Sequence, residues 1–270
     1  MNWDIFWHKK LGRPYKLHVE RYGTGKHTSK PVILMIHGLA ASGKDWEDFI
    51  PLLAAEFECV TIDLLGFGAS PKPDWSTYDM DTHMSSLKYT VDKLHLRSDF
   101  IMLGHSLGSL LSVRYAKENP KHITRLVLLS PPVYPELKDI SGRFARRLTG
   151  ILLKAYSFLR KNPRVTPENF AKIAKIIPLP RGIILDPETW QPFMRTLQNC
   201  IEQQTILNDA QELTMPIDVF YGSLDQVLVS SNVELLAQNK QVTLHQYVGN
   251  HDLTKRYARL VTKVLQTSPQ

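Results

Sequence analysis

The sequence predicts an α/β fold in which a mostly parallel sheet is covered by helices on both faces. Three observations predict it. Short runs rich in Val, Ile and Leu alternate with longer helix-patterned segments. One run, Val32-Ile33-Leu34-Met35-Ile36, has no polar alternation, as expected of a strand buried on both faces in the middle of a parallel sheet. The alternation is then broken once, by a long insertion of helical pattern.

Strands are expected at residues 17–22, 32–36, 57–63, 100–104, 126–130, 217–221 and 242–247, each bounded by Gly, Pro or Asp. Helices long enough to act as crossovers are expected at 45–57, 78–95, 107–119, 230–239 and 253–266. The third stops before Pro120, because proline supplies no amide donor and clashes with the preceding turn. Residues 134–209 carry basic helical patterns punctuated by Pro163, Pro167, Pro178, Pro180, Pro187 and Pro192. Inserted between two strands, they read as a helical cap over the carboxyl ends of the sheet, where open α/β folds bind ligands. The domain division is thus a core of residues 1–133 and 210–270 with a cap at 134–209.

Composition narrows the functional classes. With 43% hydrophobic and 22% charged residues, the 270-residue chain has ordinary globular composition. The net charge of +7 is spread over scattered Lys and Arg, twelve of which lie in the cap against seven Asp and Glu. No nucleic-acid-binding motif or zinc-ligand spacing accompanies them, so no nucleic-acid partner and no metal are expected. Cys59 and Cys200 make no disulfide framework and read as free thiols. The start, Met1-Asn2-Trp3-Asp4, lacks the pattern of a cleaved leader, and no run nears the roughly 18 apolar residues of a membrane span. A soluble, cytoplasmic protein without stable membrane insertion is expected; the oligomeric state is left open.

The chemistry-bearing residues follow the strands. Gly104-His105-Ser106-Leu107-Gly108 lies between the strand at 100–104 and the helix at 107–119. Small residues two positions either side of a serine let a strand turn sharply into a helix, which lifts the hydroxyl above the sheet as a nucleophile. The Leu107 amide, at the helix N-terminus, then faces a developing oxyanion. A serine nucleophile needs a base, and the base needs an orienting acid. Asp225, after the strand at 217–221, and His251, after the strand at 242–247, both stand at strand ends in the order nucleophile, acid, base. Asp252 and Asp218 are the rival acids: the first adjoins His251 and is poorly placed to reach its ring, and the second begins a strand at the wrong end. His37-Gly38-Leu39 closes the first central strand; a turn there brings the Leu39 amide beside that of Leu107, with His37 anchoring the turn by hydrogen bonding. His8, His18, His27, His83, His95, His122 and His245 lack the strand-end setting of His251 and read as structural.

Together these residues resemble the α/β-hydrolase superfamily across almost the whole chain. The likeness includes His37-Gly38, Trp46, the stretch from Asp63 through Gly66 and Gly68 to Ser70, the elbow around Ser106, and the Asp225 and His251 loops. It implies an eight-stranded, mostly parallel sheet flanked by helices (the α/β-hydrolase fold) with an inserted helical cap, and structural roles for Asp63 and Ser70. Ser at 106, where epoxide hydrolases and haloalkane dehalogenases carry Asp, departs from those branches. His37-Gly38-Leu39-Ala40 lacks the glycine run of esterases that accept tertiary alcohols, and His105 with Leu107, Gly108 and Ser109 fits esterases better than carbon-carbon hydrolases.

The resemblance thus implies a cofactor-free serine esterase acting on small to medium acyl substrates. Ser106, His251 and Asp225 would form the triad and the Leu39 and Leu107 amides the oxyanion hole, supported by His37, Gly38, Gly104, His105 and Gly108. Trp190, Phe193 and Met194 are candidates for an apolar acyl pocket, and Arg143, Arg147 or Arg195 for facing a substrate carboxylate. A carbon-carbon or thioester hydrolase with the same triad, or a non-catalytic ligand-binding member of the fold, are the alternatives.

Overall fold

Seven strands form one sheet among the described residues of the computed structural model, which are 3–23, 30–96, 99–162, 164–173 and 185–267. In chain order they are β1 (Val19–Tyr22), β2 (Val32–Ile36), β3 (Glu58–Ile62), β4 (Phe100–His105), β5 (Ile123–Leu129), β6 (Ile217–Gly222) and β7 (Val242–Tyr247). Their spatial order is β1-β3-β2-β4-β5-β6-β7, with β1 alone antiparallel to its neighbour. The expected eighth strand is a correction. Ahead of β1, Ile5–Lys10 form a wide helical turn instead, with the Leu11 amide donating to the Phe6 carbonyl (3.2 Å). Gly12 follows at φ +63°, a left-handed conformation outside the extended region of a strand.

The helices are α1 (Ile50–Leu53), α2 (Met80–Leu94), α3 (Leu107–Glu118), α4 (Arg143–Lys161), α5 (Pro167–Ile173), α6 (Pro187–Thr196), α7 (Ile206–Gln211), α8 (Ser230–Val233) and α9 (Lys255–Thr267). The helix expected at 45–57 divides into a 3-10 turn, Gly43–Trp46, and α1, because Pro51 lacks the amide that a continuous helix would use and sits in the first turn of a new one. The helix expected at 230–239 likewise becomes α8 followed by a 3-10 turn, Glu234–Gln238.

Alternation along the central strands divides the apolar core between the two faces of the sheet. Leu34, Ile36, Val60, Met102, Leu126 and Val219 join one cluster, while Ile33, Met35, Cys59, Leu103, Val127 and Phe220 join the other, packed on Trp46, Phe49, Tyr257 and Val261. Burying each such side chain contributes about 1.5–3 kcal/mol before entropy, which holds the parallel strand ends in register.

In the inserted stretch, Pro163, Pro178 and Pro180 lie outside the described residues, as does His27 elsewhere in the chain. Asp186 caps α6, its carboxylate accepting from the Thr189 amide (2.7 Å). The last turns of the insertion are tied to the loop before α2. Arg195 donates to the carbonyls of Asp74 and Ser76 (2.6 and 2.5 Å), Asn199 donates to that of Thr77 (2.7 Å), and His83 Nε2 meets Thr196 Oγ1 (3.1 Å).

Candidate active site

Ser106 stands between β4 and α3 at φ +51°, ψ −116°, a conformation that side chains larger than glycine rarely take. The surroundings hold it there. Its amide donates to the Leu129 carbonyl (2.9 Å), and Ser109 Oγ donates to the Gly104 carbonyl (2.7 Å), stitching the first turn of α3 to the strand. Gly108 is required for this approach: a Cβ there would lie 2.1 Å from the Ile36 carbonyl oxygen of β2. The backbone at Gly38 also lies close, since a Cβ on it would be 3.3 Å from that of Ser106. The loop carrying the Leu39 amide therefore packs on the serine, and Leu107 supplies the leading amide of α3, which has no acceptor within its own helix.

His37 is the anchor of that loop. Its Nδ1–H donates to the Gly38 carbonyl (2.7 Å) and its Nε2 accepts from the Leu64 amide (2.8 Å), which fixes a neutral tautomer; burial also lowers its pKa. Asp63 shapes the neighbouring loop, accepting from the amides of Gly43 (2.6 Å) and Ala69 (2.7 Å), while Ser70 Oγ donates to the Asp63 carbonyl (2.6 Å).

Asp225 and His251 arrive from adjacent strand ends. The Ser223 amide donates to the Tyr247 carbonyl (2.8 Å) and the Leu224 amide to the Gly249 carbonyl (2.9 Å), so the two loops form one unit. Gly222 permits it, because a Cβ there would meet the Gly249 carbonyl oxygen at 2.2 Å. His251 Nδ1 donates to Asp225 Oδ2 (2.7 Å), and Asp225 Oδ1 accepts from the Val227 amide (2.9 Å). The carboxylate is fully buried and the ring nearly so. With Nδ1 committed to the acid, Nε2 is the ring nitrogen left over, and it has no hydrogen-bond partner among the described residues.

The rival acids are engaged elsewhere. Asp252 accepts from Asn250 Nδ2 (2.6 Å), and Asp218 is held by Arg125 (2.6 Å) and His245 (2.7 Å). His105 adds a link that the sequence did not reveal: its Nε2–H donates to the His251 carbonyl (3.0 Å), joining the serine's strand to the histidine's loop. Burial first, and the His251 ring second, hold His105 well below the ordinary histidine pKa, so it is neutral.

Ser106, His105, His251, Gly38 and Leu39 line one cavity of about 300 Å³. The inserted stretch contributes Tyr156, Leu197 and Ile201 to its wall. Trp190 and Met194 instead line a separate cavity, and Phe193 is buried against Phe170 and Trp190 (ring centroids 5.3 and 6.4 Å apart), so the expected aromatic pocket is corrected. The helical spacing of these residues marked an apolar face of α6, and that face is spent on packing within the insertion. Arg143, Arg147 and Arg195 do not line the cavity either; its charged lining among the described residues is Asp45, Glu47, Asp48 and Asp252, with no Lys or Arg.

A strained serine at a strand-to-helix turn, beside a buried His–Asp pair on neighbouring strand ends, is an arrangement of acyl-transfer enzymes. The sequence profile of the alpha/beta hydrolase fold matches residues 31–251. The chain belongs to the α/β-hydrolase fold family. Among curated relatives, the monoacylglycerol lipase ABHD6 of Homo sapiens is 24% identical over 96% of this chain and 83% of its own length. The probable lysophospholipase BODYGUARD 1 of Arabidopsis thaliana is 31% identical over 41% of this chain, a match spanning only 24% of that relative. The matched region thus covers about a quarter of the length of the first such plant relatives. Among solved structures, an esterase from Exiguobacterium antarcticum superposes with a TM-score of 0.71 at 17% identity, over 94% of this chain and 95% of that one. No helix among the described residues is long and apolar enough to cross a membrane.

Proposed function

We propose that this chain is a serine hydrolase that cleaves carboxylic esters through Ser106, His251 and Asp225. The observation that carries the reading is the buried His251 ring, bound to Asp225 through Nδ1, with its Nε2 unpartnered among the described residues and the residue lining the cavity that Ser106 also lines. Lipases among the curated relatives support ester bonds over other acyl linkages.

In this mechanism His251 Nε2 takes the Ser106 proton as Oγ attacks the acyl carbon. The Leu39 and Leu107 amides donate to the oxyanion that forms, in a site where fixed dipoles need no reorganisation. His251 then protonates the leaving alcohol, which departs and leaves an acyl-enzyme. Water entering the vacated position gives its proton to the same nitrogen as its oxygen bonds to the acyl carbon, and that proton then passes to Ser106 Oγ as the acid is released. Asp225 keeps the proton of the resting ring on Nδ1 and stabilises the imidazolium.

The four carboxylates of the lining favour acyl and alcohol groups that are neutral or cationic. The test is turnover of a p-nitrophenyl ester series of increasing acyl length by the protein and by Ser106→Ala. The variant is expected to lose activity at least roughly a thousandfold. Folded wild-type protein that turns over none of the series, or a variant as active as wild type, refutes the proposal.

A further inference from the structure

The outer face of α4 is apolar in a way that the other described residues leave uncovered. Phe144, Ile151 and Phe158, seven residues apart, are 80%, 49% and 52% exposed. The half-buried Leu148 and Ala155 fall between them at helical spacing, so a continuous apolar stripe runs along the helix. The buried face of α4 is a different one, carrying Ala145, Thr149, Leu152, Tyr156 and Leu159. The apolar arc of the helix is therefore wider than the core needs.

Charge completes the pattern. Arg143, Arg147, Lys154 and Lys161 are exposed along one flank of the stripe, and none has an ion-pair partner among the described residues. The 19-residue helix contains no Asp or Glu. A second copy docking through the same stripe would bring two wholly basic helices together, an arrangement that like-charge repulsion opposes. An anionic lipid surface has the complementary charge and accepts apolar side chains to a depth of about 5–10 Å, the regime of an amphipathic helix lying in a membrane interface.

We propose that α4 docks this protein onto anionic membrane surfaces, with Phe144, Ile151 and Phe158 entering the acyl boundary and Arg143, Arg147, Lys154 and Lys161 meeting the headgroups. Tyr156, on the inner side of the same helix, lines the Ser106 cavity, so docking sets that cavity one helix diameter from the lipid. Docking does not depend on the proposed chemistry, and its test does not require turnover.

The experiment is co-sedimentation of the full chain with vesicles of phosphatidylcholine alone and of phosphatidylcholine mixed with phosphatidylserine. It is run on wild type, on Phe144→Glu with Phe158→Glu, and on Arg147→Glu with Lys154→Glu. Wild type is expected to partition onto the mixed vesicles at least roughly tenfold more strongly than onto phosphatidylcholine, since each basic side chain at the surface contributes about fivefold. The apolar-face variant is expected to lose at least roughly tenfold of that binding, and the charge variant to lose the preference for phosphatidylserine. All four positions are exposed, so an unchanged thermal transition shows that the variants fold. Equal binding of wild type to both vesicles, or of the apolar-face variant and wild type, overturns the proposal. So does a wild-type dimer in light scattering that Phe144→Glu with Phe158→Glu dissolves, which assigns the face to a second copy.

Discussion

Replacing Asp225 with Asn tests the proposed chemistry at the point where the structure constrains it most. The substitution is nearly isosteric, and the side chain is fully buried, so packing is preserved. One oxygen of Asp225 accepts from the Val227 amide at 2.9 Å, and the other accepts from His251 Nδ1 at 2.7 Å. An Asn must keep its own oxygen on Val227, because turning the amide group over would place two donors face to face. Its Nδ2 then points at His251 Nδ1, and the ring can accept that hydrogen bond only by moving its proton to Nε2. The nitrogen that should take the Ser106 proton is thereby already protonated. The acid's support for the imidazolium is lost as well. The expected fall in kcat is roughly ten-thousand-fold, or about 5 kcal/mol of transition-state stabilisation, with KM little changed. Steady-state hydrolysis of the best p-nitrophenyl ester, with thermal unfolding as a check on the fold, measures it. An Asp225→Asn variant that keeps more than a tenth of wild-type kcat at neutral pH would refute the assignment of Asp225 as the orienting acid.

Two further outcomes concern stability. Gly108→Ala sets a Cβ 2.1 Å from the Ile36 carbonyl oxygen, backbone against backbone, and is expected to cost about 2–3 kcal/mol, read as a lower urea midpoint. Acid is expected to destabilise the protein through its buried histidines. Burial lowers the His83 pKa to about 4, against about 6.5 in the unfolded chain, so between those values the unfolded state binds the extra proton and stability falls as pH falls. His83 alone contributes roughly 3 kcal/mol across that window, with His37 and His105 acting in the same direction; equal urea midpoints at pH 7 and pH 4.5 would contradict it.

The strand-to-helix turn at Ser106 and the loops that bring Asp225 and His251 together were legible in the sequence because each is a short local signal at the end of an apolar run. Gly104, Gly108 and the residues before Asp225 and His251 state their backbone requirements within a few positions. What the sequence hid depends on packing. Trp190, Phe193 and Met194 share an apolar helix face, but only the fold shows that this face meets Phe170 and not the Ser106 cavity. Tyr156, Leu197 and Ile201, which do line that cavity, carry no local mark that separates them from core residues. The bond from His105 to the His251 carbonyl spans 146 positions and has no sequence signature. The eighth strand is a different case: the family likeness alone implied it, while the apolar runs marked seven, the number found among the described residues.

The wall of the Ser106 cavity is drawn from two stretches of unequal freedom. Gly38, His105, Ser106 and His251 sit at or just past strand ends, where Gly104, Gly108 and Gly222 leave no room for a Cβ against neighbouring backbone, whereas Tyr156, Leu197 and Ile201 come from the stretch between β5 and β6. Under the proposed chemistry, the second set can be exchanged one residue at a time to alter what fits the cavity without touching Ser106, His251 or Asp225.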